Sequence, residues 1–120
     1  MATFFKNLET GKFLVSAEGI DAPAGYDAVE ANSVDAATEK HVPVIDLQRD
    51  GHIIHVTVGE VAHPMEAEHF IEWIALDAGG RFELHHLKPG QTPATFFAGG
   101  VAHGTVYAYC NLHGLWMATF

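Results

Sequence analysis

A chain of 120 residues, 48% of them hydrophobic, can bury one core and is too short for two substantial ones. Fifteen acidic residues against six basic ones leave a net charge of −9, which argues against nucleic acid and anionic membranes as partners. No apolar run approaches the length of a transmembrane helix, the first ten residues lack the pattern of a signal peptide, and a single cysteine excludes an internal disulfide, so a reducing, cytoplasmic location is the expectation.

In chain order, residues 4–15 read as one hairpin turning at Thr10-Gly11, followed by a loop at Asp21-Ala22-Pro23-Ala24-Gly25. Residues 1–30 are too few to bury a core alone and are expected to lean on the rest of the chain or on a second subunit. Asn32 or Ser33 is placed to cap one helical turn through Ala36 and Ala37, which Pro43 prevents from running on. Glu39, Lys40 and His41 then fall on a loop entering the first strand of the main domain, residues 31–120. Seven strands follow, at 42–47, 52–58, 70–77, 82–87, 94–98, 105–109 and 115–120. Ile54, Val56 and Val58 share one strand face, and Ile71, Trp73 and Ala75 oppose Ile74 and Leu76. Asp50-Gly51 and Ala78-Gly79-Gly80 read as hairpin turns. The expected fold is all-β: an immunoglobulin-like antiparallel β-sandwich of about seven strands with a small N-terminal appendage.

The chain has nine histidines. His52 and His55 lie on opposite strand faces, as do the adjacent His85 and His86, and His103 sits at a loop edge, so these five read as surface or hydrogen-bonded side chains. His41 and His63 adjoin segments restricted by Pro43 and Pro64, His69 opens a strand, and His113 follows Cys110 across a turn ending at Gly114. All four lie at strand ends or in loops, where a sandwich can gather side chains at one rim. Four imidazoles and one thiolate suit iron or copper better than zinc, which favours a closed tetrahedron.

Glu39-Lys40-His41-Val42-Pro43-Val44, Val61-Ala62-His63-Pro64-Met65, Glu68-His69-Phe70-Ile71-Glu72-Trp73-Ile74 and Cys110-Asn111-Leu112-His113-Gly114-Leu115-Trp116 follow one another in the order and approximate spacing of a known pattern. Across roughly residues 30–120 the chain resembles the superoxide reductases of the desulfoferrodoxin and neelaredoxin family. The resemblance implies one iron ion per chain, Fe2+ when active and Fe3+ after turnover. It implies His41, His63, His69 and His113 in the equatorial plane, Cys110 as axial thiolate, and a sixth position open to superoxide. Lys40 would steer the anion and hold a proton-delivering water, and Glu39 would close the sixth position once the iron is ferric. Such a centre carries a net charge near +1 by ligand counting, which gives an acidic chain a local attraction for an anion. An external donor such as rubredoxin would supply the electron.

Desulfoferrodoxins carry a leading domain whose four cysteines hold a second iron. Phe4-Phe5-Lys6-Asn7-Leu8-Glu9-Thr10-Gly11-Lys12 resembles that opening without the cysteines, so residues 1–30 are expected to be a vestigial, metal-free segment that helps form a homodimer. A rival reading comes from Cys110, His113 and Met117, whose spacing also resembles the ligand loop of a blue-copper electron carrier. It leaves two of His41, His63 and His69 unexplained, and Met117 is adequately read as core. Trp73 and Trp116 read as packing groups.

Overall fold

The computed structural model describes residues 2–120; Met1, the first residue of the predicted leading segment, lies outside them. The chain divides into two compact units, one ending at Glu30 and the other spanning Ala31–Phe120.

The first unit is a three-stranded antiparallel sheet of β1 (Thr3–Asn7), β2 (Phe13–Ser16) and β3 (Tyr26–Val29), with β1 in the middle. The predicted hairpin is β1–β2, with Phe5 opposite Leu14. Asn7 builds its turn: the side-chain oxygen accepts from the backbone N–H groups of Glu9 and Thr10, both at 2.9 Å. The hairpin is joined by a third strand that the sequence-based expectation lacks, because β3 pairs with the other edge of β1. Tyr26–Val29 contains two residues of low strand preference, Asp27 and Ala28, so its strand character comes from this pairing.

The second unit opens with the helical turn α1 (Thr38–His41) and continues through β4 (Pro43–Gln48), β5 (Ile53–Val58), β6 (Ile71–Ala78), β7 (Arg81–His86), β8 (Ala94–Ala98), β9 (Thr105–Cys110) and β10 (Gly114–Thr119). These seven strands form two antiparallel sheets, in the orders β10-β9-β6-β7 and β4-β5-β8. The predicted sandwich is present, each strand within a residue or so of its expected place. Ile54, Val56 and Val58 point inward from β5 onto Ile71, Ile74, Leu76, Phe97, Val106, Ala108 and Cys110. Each large side chain so buried contributes roughly 1.5–3 kcal/mol.

Two expectations are corrected. Strict alternation puts Ile71 on the face of Trp73, but a bulge between these residues shifts the register, so Ile71 joins Ile74 and Leu76 in the core. The helical turn also begins later than expected. Asn32 has a left-handed φ of 58° and caps no helix; its side chain accepts from the Met117 N–H at 2.9 Å and donates to the Met117 carbonyl at 3.2 Å. Glu39, Lys40 and His41 are consequently part of α1, not of a loop.

Opposite β10, the sandwich is sealed by polar groups. Arg81 donates to the Ala98 carbonyl, and His85 meets the Thr95 hydroxyl at 2.7 Å while stacking on Phe97.

Candidate metal centre

Four segments supply the donor groups. α1 ends at His41 because Val42, before a proline, takes an extended conformation (φ −70°, ψ 125°). His41 turns back so that its Nδ1 bonds the Ala37 carbonyl at 2.7 Å. His63 lies between β5 and β6; its backbone N–H bonds the Val58 carbonyl at 3.0 Å, and its Nδ1 bonds the Pro64 carbonyl at 2.7 Å. A ring that donates Nδ1–H to a carbonyl leaves the Nε2 lone pair facing away, ready to ligate. His69 sits just before β6, held by paired backbone bonds with Glu66 at 3.0 and 3.1 Å. Cys110 closes β9 with its side chain in the core, and His113 ends the turn into β10 at Gly114, whose φ is 82°.

The four rings close a circuit of edge-to-face contacts. Centroids are 4.8 Å apart for His41–His63, 4.7 Å for His63–His69, 5.1 Å for His69–His113 and 4.8 Å for His113–His41. One ligand atom each from His41, His63, His69 and Cys110 lies within 4.8 Å of the others. His113 enters through Nδ1, which is 3.1 Å from His41 Nε2 and 3.8 Å from the Cys110 sulfur.

His63 Nε2 and His69 Nε2 are buried with no hydrogen-bond partner among the described residues. A buried polar atom left so costs about 1–3 kcal/mol. A cation at the centre of the circuit answers both vacant lone pairs, and four nitrogens with one sulfur form a donor set for a transition metal. The residues present fit such an ion.

The electrostatics agree with a site built to take a cation. Burial pushes the His63 pKa from 6.5 down to about 4 against the opposing bond to Pro64, and the neighbouring imidazoles add to the fall. Burial also lowers the His41 pKa, partly opposed by the Ala37 carbonyl and reinforced by His113, His69 and Lys40. The Cys110 thiol is raised, first by burial; the N–H groups of Leu112 and His113, aimed at its sulfur as a turn after a cysteine dictates, work the other way.

A pH dependence follows for the metal-free protein. Between about pH 6.5 and 4 the unfolded chain protonates His63 and the folded chain does not, so stability falls as pH drops through that window. His63 alone accounts for a loss on the order of 2–3 kcal/mol. Urea unfolding of chelator-treated protein should show a lower midpoint at pH 4 than at pH 7; equal midpoints would contradict it.

The remaining candidates are placed differently. Lys40 is exposed on α1, near enough that its charge acts on the His41 ring. Glu39 is exposed too; its carbonyl accepts from the Val61 N–H at 3.0 Å, and it lines a cleft with Thr38, Val42, Pro43, Val44 and Glu60 that holds none of the five donors. Met117, the rival copper ligand, pairs with Tyr107 on β10, on the strand face opposite its neighbour Trp116. The five discounted histidines stay outside the group. His52, which precedes β5, bonds the Arg49 carbonyl, His55 lies against Phe96, and His86 and His103 are exposed.

Two residues have a part in this centre beyond what the sequence signals: Trp116, read there as packing, and Gly59. Trp116 stacks on His41 at 4.9 Å and donates its indole N–H to the His113 carbonyl at 3.0 Å, joining the first and last donor segments. Gly59 (φ 87°) lets the chain after β5 pass directly over the backbone of Glu39 and Lys40. Spacing alone signals neither, although an indole three residues after a histidine at a strand start can return to it.

The chain matches the Desulfoferrodoxin family model over residues 33–119. A desulfoferrodoxin from Clostridium acetobutylicum is 48% identical over 116 residues, 94% of this chain and 90% of that protein. A superoxide reductase from Pyrococcus horikoshii is 41% identical over 95 residues, 65% of this chain and 83% of the relative. Among solved structures, the superoxide reductase from Treponema pallidum superposes with a TM-score of 0.77 at 37% identity, covering 98% of both chains.

Proposed function

The chain belongs to the desulfoferrodoxin family, and we propose that it is a superoxide reductase, converting superoxide to hydrogen peroxide with one electron and two protons. The observation that carries this reading is the closed circuit of four imidazoles around two unpartnered nitrogens, with a buried cysteine sulfur against it. We assign the ion as iron, held by Nε2 of His41, His63 and His69, Nδ1 of His113 and Sγ of Cys110. Five donors exceed the four of a closed zinc site. When bound, the iron supplies the electron by moving between its ferrous and ferric states.

The protein's own groups do the rest. Cys110 contributes negative charge and electron density from one direction, with the Leu112 and His113 N–H groups holding its sulfur. Lys40 provides a positive charge beside His41 that draws superoxide toward the site against the −9 of the whole chain, and it holds a water for proton delivery. Glu39, one residue earlier, is our candidate for a carboxylate that would bind the ion in its oxidised state. The electron comes from an external carrier such as rubredoxin.

We read residues 1–30 as a metal-free counterpart of the leading domain of longer relatives, used to form a homodimer. Support comes from Leu8, Leu14, Val15 and Ile20, all exposed on this small unit. Among the described residues no helix is long and apolar enough to cross a membrane, and a cytoplasmic site of action suits an unoxidised thiolate.

Purified protein should carry about one iron per chain and, with an electron donor, release hydrogen peroxide from superoxide without dioxygen. Dioxygen release in step with peroxide would indicate dismutation and overturn the assignment. Lys40→Ala should slow superoxide consumption about threefold to tenfold at low salt, the gap closing as the Debye length shrinks below about 10 Å. The ferric spectrum should not change. Equal rates at low salt would refute the steering role.

A further inference from the structure

Three of the four imidazoles are oriented in two ways. His41 and His63 are each braced by a bond from Nδ1 to a nearby carbonyl. His69 is held through its backbone, and its neighbours on both sides are gripped by one residue. Asn111 donates from Nδ2 to the Glu68 carbonyl at 3.0 Å, accepts at Oδ1 from the Phe70 N–H at 3.0 Å, and donates its own N–H to the Phe70 carbonyl at 3.3 Å.

These bonds lie where regular pairing stops. The β6–β9 ladder ends at Ile71 opposite Cys110, beside the bulge. A side-chain amide carries the same donor and acceptor as a peptide group, so Asn111, with its own N–H and its side chain, continues the ladder past the Ile71–Cys110 pair. It follows Cys110 directly and precedes His113 by two residues. One side chain thus ties the thiolate segment to the segment bearing His69.

We propose that Asn111 is a positioning residue of the iron centre, setting the placement of His69 Nε2 relative to the Cys110 sulfur, and through it the strength of the iron–sulfur bond. Residue chemistry narrows the choice at this position. Aspartate keeps the acceptor for Phe70 and loses the donor to Glu68, whereas alanine loses both. The inference rests on the assignment of iron to this site.

The test uses the iron-loaded protein. Asn111→Ala should release iron to a chelator at least about tenfold faster than the parent, in line with the effect of groups that orient metal ligands. It should also shift the sulfur-to-iron charge-transfer band and the reduction midpoint. Asn111→Asp should fall between the two and carries the test if the alanine variant does not fold. A lowered unfolding midpoint with the band and potential unshifted and the release rate within about twofold of the parent would reduce Asn111 to ordinary loop support and overturn the proposal. A parent protein without iron or without the band would fail the iron assignment instead.

Discussion

Replacing Cys110 with serine should abolish the red charge-transfer band of the oxidised protein and slow superoxide reduction by on the order of a hundredfold or more. The thiol is fully buried at the end of β9, and its pKa is raised by burial and by Glu72. Metal-free, it is therefore a neutral thiol at pH 7, and taking up a metal must expel its proton, so affinity should rise with pH. A serine hydroxyl is a much weaker acid and stays neutral beside the same ion. On the proposed donor set, the site then loses its one anionic donor and keeps four imidazoles. A change of about 3 kcal/mol in barrier height is enough for the stated loss of rate. The replacement is close to isosteric, so the fold should survive. Absorption spectroscopy and superoxide consumption check it directly; a serine variant with full activity and an intact band would remove Cys110 from the centre.

The second large effect is expected from a residue that donates nothing to a metal. Gly59→Ala places a Cβ on the Glu39 carbonyl oxygen and within 2.6 and 2.7 Å of the Lys40 C and Cα atoms, all of them backbone. The φ of 87° also disfavours any L side chain. The Gly59 passage and the Val61-to-Glu39 bond hold α1 against the loop that leads to His63. Pushing them apart separates His41 from His63. The expected result is a loss of about 2–4 kcal/mol in stability together with most of the bound iron. Gly90→Ala is the matched comparison, since Gly90 has the same φ of 87° and open space at its Cβ. It should show the backbone strain alone, roughly 1–2 kcal/mol, and keep its iron. If the two variants behave alike in denaturant titration and metal analysis, the close approach at Gly59 has no part in the centre.

Much of the fold was legible because its signals are local. Alternation at Ile54, Val56 and Val58 marked a strand with one buried face, and glycines at 51, 79 and 80 marked turns. The misreadings share a cause, namely pairing between residues far apart in the chain. Asn32 looks like a helix cap until β10 offers its side chain the Met117 backbone, 85 residues away. Asp27 and Ala28 become a strand only because β1 has a free edge. Ile71 breaks alternation through a bulge that no property of Glu72 announces. At the centre, the prolines beside His41 and His63, the strand start at His69 and the turn from Cys110 to His113 marked these residues, and the family resemblance joined them into one donor set. The supports at Gly59, Asn111 and Trp116 act through backbone contacts across segments, and these leave no mark on spacing.

The circuit of imidazoles spans residues 72 apart in sequence, from His41 to His113. An ion seated there is a removable cross-link across most of the second unit. A covalent link closing a loop of that length would stabilise the folded chain by about 4 kcal/mol through the entropy it removes from the unfolded one. A metal does the same job on different terms: it ignores the reducing conditions that open disulfides, and it yields to acid and to chelators. Mechanical integrity and redox chemistry thus share one ion, so an iron-starved molecule would be idle and also easier to unfold.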